Sequence, residues 1–275
     1  MGSYKDMKIN RDKYLKPFNS KNFPNFLCPN CREGYLLLDN GSFKCESTDR
    51  SKRLYDLIDD VSAFELKFIS FLKCNNKNCK ELVSLSGIGN TKESWVIDSG
   101  DINAEPELEY DDFLEIKYMF PSVDIFEINR NCPKEISYII KQSFCLFWND
   151  PSSAGNKIRV ALELLMDRES ITDCDLDKKG NSYKISLDKR IKLFGEKQNY
   201  KKISKLLLSL KIVGNAGSHK NILNKSDILD AYDVLGYALD EIYLKKDETK
   251  RVKSIAEDLS EKHKEYTLIK REMQQ

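Results

Sequence analysis

The sequence predicts an α+β chain in two parts, a small β-rich module followed by an all-α helical bundle, and three observations predict it. Four of the eight cysteines fall into two close pairs within residues 1–97, among short β-prone runs and turn signals. From Pro133 onward the apolar spacing changes to threes and fours, the period of a helix that buries one face. Between these regions, residues 98–115 hold eight acids and no base, and a run so charged reads as an exposed linker. The boundaries expected are 1–97 for the cysteine-bearing module with an insertion, 98–130 for the acidic linker, 131–245 for the helical domain and 246–275 for a C-terminal amphipathic helix.

Composition bounds the partners. The chain has 275 residues, 40% of them hydrophobic, enough to bury a real core. Lys+Arg 45 against Asp+Glu 44 leaves a net charge of +1, which excludes both a globally basic nucleic-acid glue and a strongly acidic solvating protein. No apolar run approaches the roughly 20 residues that span a bilayer, and the N-terminus Met1-Gly-Ser-Tyr-Lys-Asp6 lacks the layout of a secretion signal. A soluble, cytoplasmic protein without a membrane partner is expected. In a reducing compartment, paired cysteines favour a metal over disulfides.

Cys28-Pro-Asn-Cys31 puts two thiols on one tight turn, where backbone amides point at the sulfurs and both reach one tetrahedral ion. The run Tyr35-Leu-Leu-Leu, then Asn40-Gly41, then Phe43-Lys44-Cys45 reads as a hairpin, since Asn-Gly is the preferred two-residue turn. Phe68-Ile-Ser-Phe-Leu-Lys leads into Cys74-Asn-Asn-Lys-Asn-Cys79, followed by the strand-like Leu82-Val-Ser-Leu. Strand, knuckle, strand is the order of a zinc ribbon, so Cys28, Cys31, Cys74 and Cys79 are the expected ligands of a zinc ion. Cys45 is the alternative ligand if the looser second pair fails. Four thiolates leave no coordination position open, which makes such a site structural.

In the second part, Pro133 suits a first helical turn. Ile136, Ile139, Ile140, Ser143, Phe144 and Phe147 form one stripe behind it. A second helix is expected from about Ser153 to Asp167, capped by Pro151-Ser-Ser153, and a loop from Asp173 to Gly180 follows. Further helices are expected over 187–194, over 203–213 with Gly214 ending or bending it, and over 226–244. Val252, Ile255, Ala256, Leu259 and Tyr266 predict the final amphipathic helix.

Pro121-Ser-Val-Asp before the Pro133 helix, Asn156-Lys-Ile-Arg159-Val-Ala-Leu-Glu163 and Gly214-Asn215-Ala-Gly-Ser-His219, in that order, resemble the family called domain of unknown function 4145. That family is often preceded by a zinc ribbon and is considered similar to the HEPN helical superfamily. The resemblance implies a HEPN-like helical bundle in a prokaryotic protein, linked to restriction or other phage-defence systems, and a possible homodimer. It marks Arg159, Glu163, Asn215 and His219 as a structural network. It also raises a HEPN-type ribonuclease acting through His219, with Asn215 and Lys211, at a dimer interface. The Arg expected with four to six residues between it and His219 is absent, because Gly214, Val213 and Ile212 stand at those positions.

A local field of charge completes the reading. Between Lys178 and Lys225 stand 13 basic residues against two acids. Lys189, Arg190, Lys192, Lys201, Lys202, Lys205 and Lys211 are the candidate nucleic-acid contacts, with Tyr183, Phe194 and Tyr200 as stacking surfaces for single-stranded RNA or DNA. A solvated lysine-rich face accounts for the same residues. The expected function is therefore non-catalytic, a nucleic-acid-binding or adaptor protein that contacts nucleic acid or a defence-system protein; a structural subunit docking a larger enzyme is the alternative.

Overall fold

Glu65–Cys74 alternates exposed and buried at every position, the pattern of a strand with one face on a core. This strand, β4, is the centre of a computed structural model that describes residues 9–19, 22–58, 60–96, 107–197, 200–218 and 223–244. With β1 (Phe26–Leu27), β2 (Tyr35–Leu38), β3 (Lys44–Ser47), β5 (Leu82–Val96) and β6 (Glu107–Phe120) it forms a six-stranded antiparallel sheet. The order is β1-β2-β4-β5-β6, and β3 pairs β4 beyond the end of β2.

Asn40-Gly41 does not join a hairpin. β2 pairs with Leu72–Cys74 and β3 with Leu66–Ile69 along the same edge of β4. The turn is a loop that interrupts one edge strand: the Ser42 and Phe43 amides bond the Asp39 carbonyl, and Ser42 Oγ accepts the Phe71 amide at 2.8 Å. The acidic stretch read as a linker also differs from expectation, because Glu107–Phe120 is β6. Its alternate residues Leu114 and Ile116 are buried while Glu115 between them stands on the other face, half-buried and paired with Lys225 at 2.8 Å. Counting charge alone hid this period of two.

The sheet curls into an open half-barrel. Gly87 and Gly89 permit the curl on β5: a Cβ at Gly87 would lie 2.0 Å from the Glu115 carbonyl oxygen and 2.6 Å from Phe68, and the β5–β6 register shifts at this point. The N-terminal segment crosses the open side. Phe18 bridges to Leu114 of β6, and Phe26 lies in β1 at the opposite edge. Between them Phe18, Phe23, Phe26 and Phe68 stack edge to face with centroids 5.1–5.7 Å apart, an arrangement worth more than area burial alone.

The second part holds α3 (Lys134–Phe147), α4 (Pro151–Arg168), α5 (Leu187–Lys197), α6 (Lys201–Ser218) and a further helix, α7, over 225–244; the short α1 (Asp12–Leu15) and α2 (Asp49–Ile58) precede them in the first part. The expected stripe of α3 is buried at Ile136, Ile140, Ser143, Phe144 and Phe147. The α4 cap is Asp150, one turn before Ser153, whose amide it accepts at 2.9 Å. The second part is not all-α. β7 (Cys174–Leu176) and β8 (Ser182–Lys184) form an antiparallel hairpin between α4 and α5. The stretch expected as a loop closes on itself because Asp177 Oδ1 accepts the Lys179 and Asn181 amides, at 2.7 and 2.9 Å, and Gly180 supplies a φ of 82°. The expected helix over 246–275 lies outside the described residues.

Both parts share one apolar core. Trp148, at the end of α3, sits between Tyr14 and Phe26 at 5.9 and 5.8 Å, and Lys225 of α7 reaches Glu115 of β6 at 2.8 Å. No described helix is long and apolar enough to cross a membrane.

Candidate metal centre

Two tight turns meet at one end of the sheet. The first, Cys28–Cys31, lies between β1 and β2; the second, Cys74–Cys79, is the loop that joins β4 to β5. Antiparallel pairing of Leu36 with Cys74 brings them side by side. Each turn is finished by a left-handed residue directly after its second cysteine, Arg32 at φ 55° and Lys80 at φ 54°. These reverse the chain so that Cys28 N–H bonds the Gly34 carbonyl at 2.8 Å and Cys74 N–H bonds that of Glu81 at 2.9 Å.

The sulfurs of Cys28, Cys31, Cys74 and Cys79 all lie within 4.8 Å of one another, a group that could hold a metal ion. Cys28 Sγ is 3.8 Å from Cys79 Sγ, and Cys31 Sγ is 3.7 Å from Cys74 Sγ, far beyond a disulfide bond. Amides aim at the sulfurs, Gly34 N–H at Cys31 and Asn76 N–H at Cys74, each at 3.4 Å, and the Asn30 side-chain amide reaches Cys79 at 3.5 Å. The Gly34 and Glu33 amides draw the Cys31 thiol down to about 6. Burial pushes the Cys74 thiol up to about 12 and raises that of Cys28. Gly34 has no room for a side chain: a Cβ would meet Cys74 Sγ at 2.6 Å. Cys45 is not one of the group. It lies on β3 opposite Phe68, and burial followed by the nearby Asp112 raises its thiol.

The first turn is tied to the second part of the chain. Arg32 pairs with Asp124 at 2.6 Å, and Asp124 lies 3.8 Å from Lys141 of α3. A cleft of about 440 Å³ opens beside this contact, lined by Lys13, Tyr14, Phe26, Arg32, Asp124 and Phe126 among others.

The remaining candidate residues are placed differently. Arg159 and Glu163 pair at 3.3 Å along α4, 37% and 42% exposed, and Asn215 does not join them among the described residues. His219 lies outside the described residues. Gly214 does not end its helix, which runs on to Ser218. It is buried within α6, and a Cβ there would lie 2.5 Å from Arg159 Cβ, so the glycine sets the close crossing of α4 and α6.

Four of the seven candidate nucleic-acid contacts are paired with acids. Lys189 pairs with Asp175 at 2.6 Å, and Arg190 is buried on Asp167 at 2.6 Å and the Ile171 carbonyl at 2.7 Å. Lys192 and Lys211 share Asp188, at 2.7 and 2.8 Å, and together hold its carboxyl below the usual carboxylate range. Phe194 is buried under a stacked Tyr200, and Tyr183 lies beneath Lys189. Among the described residues, the exposed members of the set without an acidic partner are Lys201, Lys202 and Lys205, in the first two turns of α6. Linear spacing missed the acids because Asp167 and Asp175 stand upstream of the lysine-rich run and reach it only through the fold.

No curated protein and no solved structure matches the chain. Residues 16–119 match the family model of the domain of unknown function DUF8608, a span that runs from just before the Phe18 bridge to the end of β6 and includes all four clustered cysteines. Residues 141–268 match that of the domain of unknown function DUF4145, the family that the Arg159, Glu163 and Gly214-Asn215 motifs resemble.

Proposed function

We propose that the protein is a non-catalytic adaptor whose sheet is held by a structural zinc ion on Cys28, Cys31, Cys74 and Cys79. One observation carries the reading. A tetrahedron with Zn–S arms of about 2.3 Å has edges of about 3.8 Å, and the measured sulfur pairs stand at 3.8 and 3.7 Å. Four thiolates close the coordination sphere, so the ion leaves no position for a substrate. What the cluster would do is mechanical: it joins the β1–β2 turn to the β4–β5 turn and holds Arg32 against Asp124.

Elemental analysis of the purified protein tests this. One zinc per chain in a colourless protein is expected, lost in Cys74→Ser together with thermal stability. Iron, or no metal in protein purified without chelator, refutes it. A restriction- or phage-defence-linked setting is supported only by the resemblance to the DUF4145 family.

A second reading, nucleic-acid binding, rests on Lys201, Lys202 and Lys205. Cations crowded at a helix N-terminus oppose its dipole, a cost that a bound phosphate would offset. Salt-dependent retention of single-stranded RNA or DNA that disappears when the three are changed to Glu supports it. Retention unchanged by the triple substitution, or none at low salt, leaves the adaptor to contact protein alone. A ribonuclease has less support, since Lys211 is engaged by Asp188.

A further inference from the structure

The outer face of the sheet carries a pattern that neither the metal centre nor the basic residues use. Register places large side chains on β4 and β6 either side of small ones on β5: Phe71, Ser84 and Phe120 in one row, Ile69, Ser86 and Tyr118 in the next. Phe120 is 72% exposed, Tyr118 59% and Ile69 56%. Between the two ridges runs a trough, a cleft of about 280 Å³ with both serines in its lining. Leu37 and Leu82 extend the apolar surface at one end, Ile88 and Phe113 at the other. Contiguous exposed apolar surface of this kind marks an interaction site.

Three properties of the face select its occupant. Charge disfavours phosphates and anionic lipid, because the rim carries both signs: Lys44 and Lys67 stand beside Glu46 and Glu65, Lys73 is paired with Asp39 at 2.9 Å, and Glu115 with Lys225 at 2.8 Å. Shape is self-complementary, since a ridge the height of an aromatic ring faces a trough one strand wide, which is what an isologous contact requires. Area suffices: at strand spacings of about 4.8 Å and a rise of about 3.4 Å per residue, the patch covers about 500 Å² per copy, so a pair reaches the roughly 1,000 Å² of a specific interface.

We propose that this face pairs with a second copy of the chain, sheet on sheet. The two-fold axis runs along the strands between β4 and β5, which seats Ile69 and Phe71 of each copy over Ser86 and Ser84 of the other and lays Tyr118 and Phe120 over the β2–β3 edge. The strands of the two sheets then lie within about 30° of each other, as in other aligned sheet packings.

Sedimentation of the full chain from low to high micromolar concentration tests the proposal. Wild type is expected to pass from monomer to dimer, and Phe120→Glu to remain monomeric with the melting temperature of the wild-type monomer. Ser84→Trp is the discriminating variant. It adds exposed aromatic surface yet fills the trough, so a ridge-in-trough dimer is lost, whereas indiscriminate apolar association would strengthen. A wild type that stays monomeric overturns the proposal, as does a dimer that survives both substitutions and so pairs through another surface. Wild-type monomer that retains an oligonucleotide or an anionic lipid vesicle, with retention lost in Phe120→Glu, overturns it in favour of that occupant.

Discussion

Gly34 shows how a residue with no side chain supports a site built of side chains. Its amide donates to Cys31 Sγ at 3.4 Å, and the space a Cβ would need is filled by Cys74 Sγ at 2.6 Å. An alanine there must displace Cys74 Sγ and the side chains of Asn75 and Asn76, which lie 2.6, 2.8 and 2.9 Å from the place of its Cβ. Outer-shell changes at metal sites cost about 10–100-fold in affinity, and Gly34→Ala is expected within that range; competition with a chromophoric chelator measures it, and unchanged affinity would show that the turn relaxes freely. Arg32 and Lys80 play a related part. Both are non-glycine residues in the left-handed region, a conformation kept only where the surroundings impose it, and here they close the two cysteine turns. Their side chains differ in use, since Arg32 also reaches Asp124 at 2.6 Å.

At the scale of elements, small residues decide where strands bend and helices meet. Gly87 and Gly89 let β5 lie close to β6 at the register shift, and the curl gives the Phe18 to Phe26 segment an interior to fill. On the helical side, Gly155 and Gly214 face the same crossing of α4 and α6, with Gly155 carbonyl oxygen 3.2 Å from the place of a Cβ at Gly214. Gly214→Ala gains up to about 1 kcal/mol of helix propensity and loses about 1–3 kcal/mol by overpacking. The loss wins because the obstacle is Arg159 Cβ and backbone, which cannot swing away. A lowered melting temperature is expected, and a raised one would mean that the helices cross further apart. Ser143 holds the same bundle at another level: Tyr232 donates to Ser143 Oγ at 2.7 Å and Ser143 donates to the Ala154 carbonyl at 2.8 Å, a fully buried chain from α7 through α3 to α4.

The whole molecule couples the cysteine cluster to the helices through Arg32, Asp124 and the aromatic contacts of Tyr14, Phe26 and Trp148. Trp148 therefore reports on the metal centre from outside it. Chelation is expected to loosen the sheet and shift Trp148 emission to longer wavelength while helical circular dichroism is largely kept. Trp95→Phe removes the other indole from the signal, and an unshifted spectrum on complete metal removal would uncouple the two parts. Acid should produce the same change. Burial favours the protonated thiols of Cys28 and Cys74, so protons compete with the metal at these sulfurs and the competition strengthens as pH falls. Metal content and emission are expected to change together on acidification.

Local chemistry made some of this legible in one dimension. The four cysteines stand in the spacing of tight turns, Pro133 and the Ile136-to-Phe147 stripe obey a helical period, and Asn156 to Glu163 with Gly214-Asn215 carry the resemblance to the matched family, because all of these are relations between residues a few positions apart. What lies far apart in the chain had to wait for the fold. Whether Asn40-Gly41 turns a hairpin or interrupts an edge depends on β4, which lies more than twenty residues on. The acids of β6 look like a linker until β5 pairs with them, and the lysines of α5 look like a field until Asp167, Asp175 and Asp188 reach them. Spacing determines a turn or a stripe on its own; burial, pairing and net field are sums over neighbours that only tertiary structure brings together.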